Sequence, residues 1–184
     1  MASELVERLR CGHPGAFREA VRLHGDAVYG FLLRLAGHRD LADDLFQETW
    51  ISLAQHATRL AADTKLEAWL FTVARNAWRS HRRWAWVDVS RWAVEEPKMD
   101  VASTAPSPEE ETAAYRTALM LDDALATLRP KDREIVLLGA VEGLEPNEAA
   151  EILGLGPEAY RQRLSRARKA LAEELGRRQG SGGE

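Results

Sequence analysis

PNEAAEILGLGPEAYRQRLSRARKAL, residues 146–171, decides the fold of the second half of the chain. It reads as a short helix over 147–153, a turn at Gly154-Leu155-Gly156 and a long helix over 157–175, the written form of a helix-turn-helix. Pro146 suits the first turn of the short helix, where a missing N–H leaves no bond unmade. A glycine in the turn relieves the strain of the left-handed backbone that a tight reversal demands. Ala149, Ala150 and Leu153 face inward, the alanines being small enough for close helix crossing. On the second helix Tyr160, Leu164, Ala167, Leu171 and Leu175 fall in one sector at about 100° per residue. Gln162, Ser165, Arg166 and Lys169 then face away, with Arg161 and Arg168 at the margins. Such a helix can enter the major groove, reading base edges from its N-terminal part and taking phosphates with its arginines. A solvated basic helix of an ordinary bundle has the same composition, and the preceding helix with its placed glycine is what favours DNA. The motif alone does not tell one kind of DNA-binding protein from another.

Helical spacing extends upstream. Helix resumes near Glu109 with Leu121, Ala124, Leu125 and Leu128 on one face, and Arg129-Pro130 ends it. The next helix, from Pro130 to about residue 141, buries Ile135, Val136 and Leu138, and Glu142-Gly143 turns the chain. Residues 88–108 hold Pro97, Pro106 and Pro108 among scattered acids without periodicity, which reads as a flexible linker. In the first half three apolar stripes recur at helical spacing: Phe17, Val21, Val28, Phe31, Leu32 and Leu35; Leu41, Leu45, Phe46, Trp50 and Leu53; Trp69, Leu70, Val73 and Ala77, with Trp84 as a further candidate. Residues 37–40 and 58–63 supply the breaks. Alternating β-branched runs are missing. The fold class is therefore all-α, two small helical domains at 1–87 and 113–178, joined by a flexible linker over 88–112 and followed by a disordered tail over 179–184.

At 184 residues the chain suits one medium domain or two small ones, each with a modest core. No apolar run approaches the roughly 18 residues needed to span a bilayer, so no membrane insertion is expected. The first residues carry acids and no apolar segment, unlike a secretory signal. Cys11, the only cysteine, has no partner for an internal disulfide, and a cytoplasmic location follows as the expectation. There is no Gly-rich phosphate loop and no nucleophile motif, and His13, His24, His38, His56 and His81 are dispersed. Neither an enzyme, a metal, a cofactor nor a small-molecule substrate is expected. The net charge of −4 argues mildly against a free-standing DNA-binding domain, but its distribution matters more. Residues 68–87 carry four arginines and no acid, and residues 158–178 carry seven basic residues against three glutamates. Acids collect over 40–48 and 95–111. Two basic patches on an acidic background suggest separate nucleic-acid and protein faces.

Two features of the first half go beyond what a repressor needs. Asp43, Asp44, Gln47 and Glu48 cluster on adjacent turns of a helix that already packs a core through Leu41 and Trp50. Taken alone the cluster is a polar outer face. The second feature, WLFTVARNAWRSHRRWAW from residue 69, intersperses Trp69, Trp78, Trp84 and Trp86 with arginines and Asn76. Proteins hold unstacked bases in this way, rings taking the bases and arginines the phosphates. Trp69 and Trp78 also have a plain reading as core, since large aromatics anchor small bundles. Trp84 and Trp86 are harder to bury.

In order along residues 15–175, DLADDLFQETW, AWLFTVARN with trailing arginines, a proline-bearing linker, and LRPKDREIVLL followed by EGLEPNEAAEILGLGPEAYRQRLSRARKAL resemble the extracytoplasmic-function (ECF) sigma factors of the sigma-70 family. The resemblance implies a subunit that binds core RNA polymerase, directs it to promoters and is held inactive by an anti-sigma factor. It implies a sigma region 2 bundle and a sigma region 4 helix-turn-helix, with no room for a third domain between them. Asp43, Asp44, Gln47 and Glu48 are implied to grip a coiled coil of the polymerase's largest subunit, and the flap is a second implied polymerase contact. Trp69, Arg75, Asn76, Arg79, Arg82 and Arg83 are implied to recognise the minus-ten element, with the loop around residues 58–66 capturing an extruded base. Glu158, Tyr160, Arg161, Gln162, Arg163, Ser165, Arg166 and Lys169 are implied to read the minus-thirty-five duplex. Relatives commonly begin that helix Val-Gly-Thr-Val-Lys-Ser-Arg, whereas this chain has Pro157, Glu158, Ala159, Tyr160, Arg161, Gln162 and Arg163. The donors offered to DNA therefore differ, and Glu158 is read as a helix-dipole stabiliser rather than a base acceptor. Two rivals stay open: a two-domain regulator that binds DNA without polymerase, and a sigma mimic that only titrates an anti-sigma protein.

Overall fold

The computed structural model describes residues 2–89, 113–140 and 144–181, with side chains described over 4–83, 116–140 and 144–178. The described residues are helices joined by turns and short loops, and the chain divides into two compact units, Met1–Lys98 and Met99–Glu184. The linker expected at 88–112 lies almost wholly outside the described residues, as do Glu142-Gly143 and the helix start near Glu109.

Unit 1 holds α1 (Ala2–Arg10), α2 (Ala16–Ala36), α3 (Arg39–His56), a single 3-10 turn (Ala57–Arg59) and α4 (Leu66–Val89). α2, α3 and α4 pack against one another, and α1 closes the bundle against α2 and the 3-10 turn. Fully buried Val28, Leu32, Leu53, Leu70 and Phe71 fill the core, with Phe31 edge-on to Phe71 at 5.2 Å. Gly37 ends α2 in the left-handed conformation (φ 81°), its N–H returning to the Leu33 carbonyl, as a helix C-terminus requires. His38, in extended backbone, then opens α3 by accepting from the Leu41 N–H through Nδ1 at 3.4 Å. Within α3 the buried Thr49 satisfies its hydroxyl by donating to the Leu45 carbonyl at 2.8 Å. α1 is an addition to the expected elements. Its Leu5, Val6 and Leu9 sit at helical spacing and are all buried, so Cys11 follows a packed helix although it is itself exposed.

Unit 2 holds α5 (Ala113–Thr127), α6 (Pro130–Gly139), α7 (Pro146–Leu153) and α8 (Pro157–Ser181). α8 packs against all three others. Arg133 on α6 reaches back to the C-terminus of α5, donating to the carbonyls of Leu125 (2.9 Å), Ala126 (2.5 Å) and Leu128 (3.4 Å), which satisfies acceptors that the helix end leaves open. Glu148 returns to the Glu145 N–H at 2.9 Å to start α7. Between α7 and α8 only Gly154 is left-handed (φ 66°), its N–H bonded to the Ala150 and Glu151 carbonyls; Gly156 keeps an ordinary φ. Nothing lies within 4 Å of a Cβ built on either glycine, so backbone strain alone separates them. Gly154→Ala is expected to lower the stability of unit 2 by about 1–2 kcal/mol, and Gly156→Ala to change it by less than about 0.5 kcal/mol. Thermal melts of the two variants check this, and equal losses would contradict it.

The expected tail is corrected at its start. α8 continues to Ser181, three residues into the expected tail. Glu174, 8% exposed, receives Arg178 Nε at 2.8 Å and Arg177 Nη2 at 2.5 Å. Arg178 also reaches Asp123 on α5 at 3.3 Å.

Candidate nucleic-acid interface

The acidic cluster lies on the outer face of α3. Asp43, Asp44, Gln47 and Glu48 are all exposed, while Leu41, Ala42, Leu45, Thr49, Trp50 and Leu53 of the same helix are buried. One member differs from the rest. Asp43 accepts the Tyr29 hydroxyl at 2.7 Å and lies 4.0 Å from Arg39. That hydrogen bond, helped by burial and by the Asp43 charge, raises the Tyr29 phenol above its ordinary value. Asp44, Gln47 and Glu48 make no hydrogen bond or ion pair among the described residues. Beside them runs an edge-to-face aromatic row, Tyr29–Phe46 at 5.4 Å, Phe46–Trp50 at 5.8 Å and Trp50–Phe17 at 5.9 Å. Phe17, expected in the core, is 37% exposed, and Ile51 is 47% exposed. Unpaired acids next to exposed apolar side chains form a surface suited to a protein partner carrying cations.

On α4 one stripe is exposed or half-exposed: Trp69, Thr72, Asn76, Arg79 and Arg83, recurring at spacings of three and four. Arg82 sits at its edge with the guanidinium carbon 5.0 Å above the Trp78 ring. Trp78 itself is 5% exposed, so the plain reading as core holds for it. Arg75 is corrected: at 6% exposure it faces the packed side of α4, because it stands four residues after Phe71 and three before Trp78. It is not part of the presented stripe. The side chains of Trp84 and Trp86 lie outside the described residues. The loop ahead of α4 is pinned at both ends by buried Leu60 and Leu66, and Ala61, Ala62, Asp63 and Lys65 between them are exposed.

On α8 the outward face carries Glu158, Arg161, Gln162, Arg163, Ser165, Arg166, Arg168 and Lys169, all exposed. Tyr160 is the second correction. It is 2% exposed, its hydroxyl lies against Gly139 of α6, and burial pushes the phenol up. Its place in the sector of Leu164 and Ala167 outweighs the polarity of its hydroxyl, so it anchors the helix rather than facing a ligand. Arg168 donates to the Gly139 carbonyl at 3.4 Å. Glu158 accepts from Arg161 at 2.9 Å and from Gln162 at 3.2 Å. Those bonds, Arg161 first, hold its carboxyl below the ordinary value. The result is a cationic ridge on a helix braced by three others, a surface suited to a polyanion.

No helix among the described residues is long and apolar enough to cross a membrane. No group of three or more His, Cys, Asp or Glu side chains among them is arranged to hold a metal ion.

Both units match known families. Residues 20–87 match the model of sigma-70 region 2, and residues 118–171 match that of sigma-70 region 4. The RNA polymerase sigma factor CarQ of Myxococcus xanthus is 36% identical over 93% of this chain and 95% of its own length. The ECF RNA polymerase sigma factor EcfG of Rhodopseudomonas palustris is 34% identical over 81% of this chain and 79% of its own. Among solved structures, the sigma factor RpoE of Bartonella quintana, crystallised with the anti-sigma factor NepR, is similar at 27% identity with a TM-score of 0.75, covering 88% of this chain and 97% of that one. The chain belongs to the ECF sigma factors of the sigma-70 family. It is a transcription initiation factor and not an enzyme, with a region 2 bundle and a region 4 helix-turn-helix.

Proposed function

We propose that this sigma factor docks on core RNA polymerase through Asp44, Gln47 and Glu48 with the adjoining aromatic row, and that a coiled coil of the largest subunit is the partner. The exposed stripe of α4, Trp69, Asn76, Arg79 and Arg83 with Arg82 beside it, takes the melted minus-ten element. Arg161, Gln162, Arg163, Ser165, Arg166 and Lys169 on α8 take the minus-thirty-five duplex, with the flap of the polymerase as the neighbouring contact. The protein works in the cytoplasm. An anti-sigma factor holds it inactive by covering the surfaces that polymerase and promoter need, a reading supported by the RpoE–NepR complex.

The observation that carries this is the separation of charge by element: acids without partners on the outside of α3, cations on the outside of α4 and α8. A plain DNA-binding regulator has no use for the first of these surfaces. Opening of promoter DNA, read by permanganate reactivity of unpaired thymines, is expected only when core enzyme and this protein are mixed. A full footprint from the protein alone, unchanged by core enzyme, would identify a free-standing regulator. Binding to core without any opening would identify a mimic.

A further inference from the structure

The first turn of α8 carries a single carboxylate among its cations, and that carboxylate is engaged by neighbouring side chains. Glu158 Oε2 accepts from Arg161 Nη2 at 2.9 Å, and Oε1 accepts from Gln162 Nε2 at 3.2 Å. The side chains of Glu158 and Arg161 are 70% and 66% exposed, so the ion pair adds little to folding and remains open to a ligand. What it changes is orientation. A carboxylate only accepts, so the Gln162 amide must turn its NH2 group toward Glu158. One N–H is used, leaving the other N–H and Oε1 as a donor–acceptor pair of fixed hand. Adenine N7 and N6 match such a pair in the major groove. Arg161 likewise gives up one of five N–H donors and keeps others for O6 and N7 of a guanine.

We infer that Glu158 is a positioning residue for sequence choice, holding Gln162 and Arg161 so that α8 selects an adenine and a guanine at two neighbouring positions of the upstream element. The inference rests on α8 being the duplex reader. A glutamine without that carboxylate can present either end of its amide and fits several base edges. Glu158 is also an anion facing a polyanion, so it weakens sequence-independent binding. Its removal therefore lowers discrimination and raises affinity for unrelated DNA. A residue that only stabilised the helix end would move both in the same direction.

The test uses holoenzyme made from core polymerase and the full chain, wild type or carrying Glu158→Ala, Glu158→Gln, Gln162→Ala or the Glu158→Ala/Gln162→Ala pair. Transcription is read from a promoter library randomised over the upstream element, alongside binding to scrambled duplex. Glu158→Ala is expected to reduce the adenine and guanine preferences about five- to tenfold at the two positions and leave the others. It should raise binding to scrambled duplex about two- to threefold at low salt. Glu158→Gln retains an amide oxygen and should keep part of the preference. In the Gln162→Ala background, Glu158→Ala should have no further effect at the adenine position.

Three results overturn the proposal while leaving α8 as the reader: an unchanged profile, a uniform loss on all sequences, or a cytosine preference that disappears with Glu158 and ignores Gln162. A wild-type library with no preference anywhere in the upstream element overturns both.

Discussion

Asp44→Lys together with Glu48→Lys is expected to weaken binding to core RNA polymerase by at least about tenfold, with helical content and melting temperature unchanged. Both side chains are exposed and make no hydrogen bond or ion pair among the described residues, so the fold loses nothing when they change. Each reversal replaces an attraction to a cationic partner by a repulsion, which is why reversal exceeds neutralisation. The association rate should carry much of the effect and should recover in part at high salt, where exposed charges are screened. Asp43→Lys is a poorer probe. It also removes the acceptor of the Tyr29 hydroxyl and the charge beside Arg39, so any loss of binding would mix with a loss of order between α2 and α3. Titration of labelled protein with core enzyme measures the effect. Unchanged affinity in the double variant would remove the acidic face from the mechanism.

The second large effect belongs to α4. Arg79→Ala plus Arg82→Ala is expected to slow promoter opening by about tenfold or more, while binding of upstream duplex changes less than about twofold. Arg79 is exposed, and Arg82 loses its position above the buried Trp78, a contact worth about 0.5–2 kcal/mol. That stability change is too small to unfold unit 1, whose core is Leu32, Leu53, Leu70 and Phe71. The two assays separate because the variant residues are on unit 1 and α8, the proposed duplex reader, is on unit 2. Fluorescence of a base analogue in the minus-ten region reports opening, and a gel shift of upstream duplex reports the other. Equal losses in both would mean that α4 and α8 do not act on different parts of the promoter.

Much of this arrangement could be read from the residues, and the misreadings have a common cause. The helix-turn-helix was legible because turn chemistry is local: a proline near the first helix start, a glycine at its end, an apolar sector on the second helix. Which of Gly154 and Gly156 carries the left-handed backbone was not legible, since both sit in the turn and only the path of the chain decides. The resemblance alone places Arg75 and Tyr160 among the DNA-reading residues. Their angular positions, in phase with Phe71 and Trp78 for one and with Leu164 and Ala167 for the other, already placed them inside. Helical phase outweighs the resemblance at both positions. α1 was missed although Leu5, Val6 and Leu9 are in phase, because a helix of nine residues is marginal by itself and gains its order from packing. The contacts of Tyr29 with Asp43 and of Arg178 with Asp123 cross between helices, the second over 55 positions of chain. No local pattern encodes such pairs, yet the first decides which acids of α3 remain open to a partner.

Everything about this sigma factor turns on its giving core polymerase a choice of start site. Core enzyme and purified protein should be mixed with fragmented genomic DNA, and the 5′ ends of the resulting transcripts sequenced. The account predicts discrete starts, each preceded by a shared minus-ten element and a shared upstream element, which vanish when the protein is omitted. Starts scattered as with core enzyme alone, on every template tried, would contradict it.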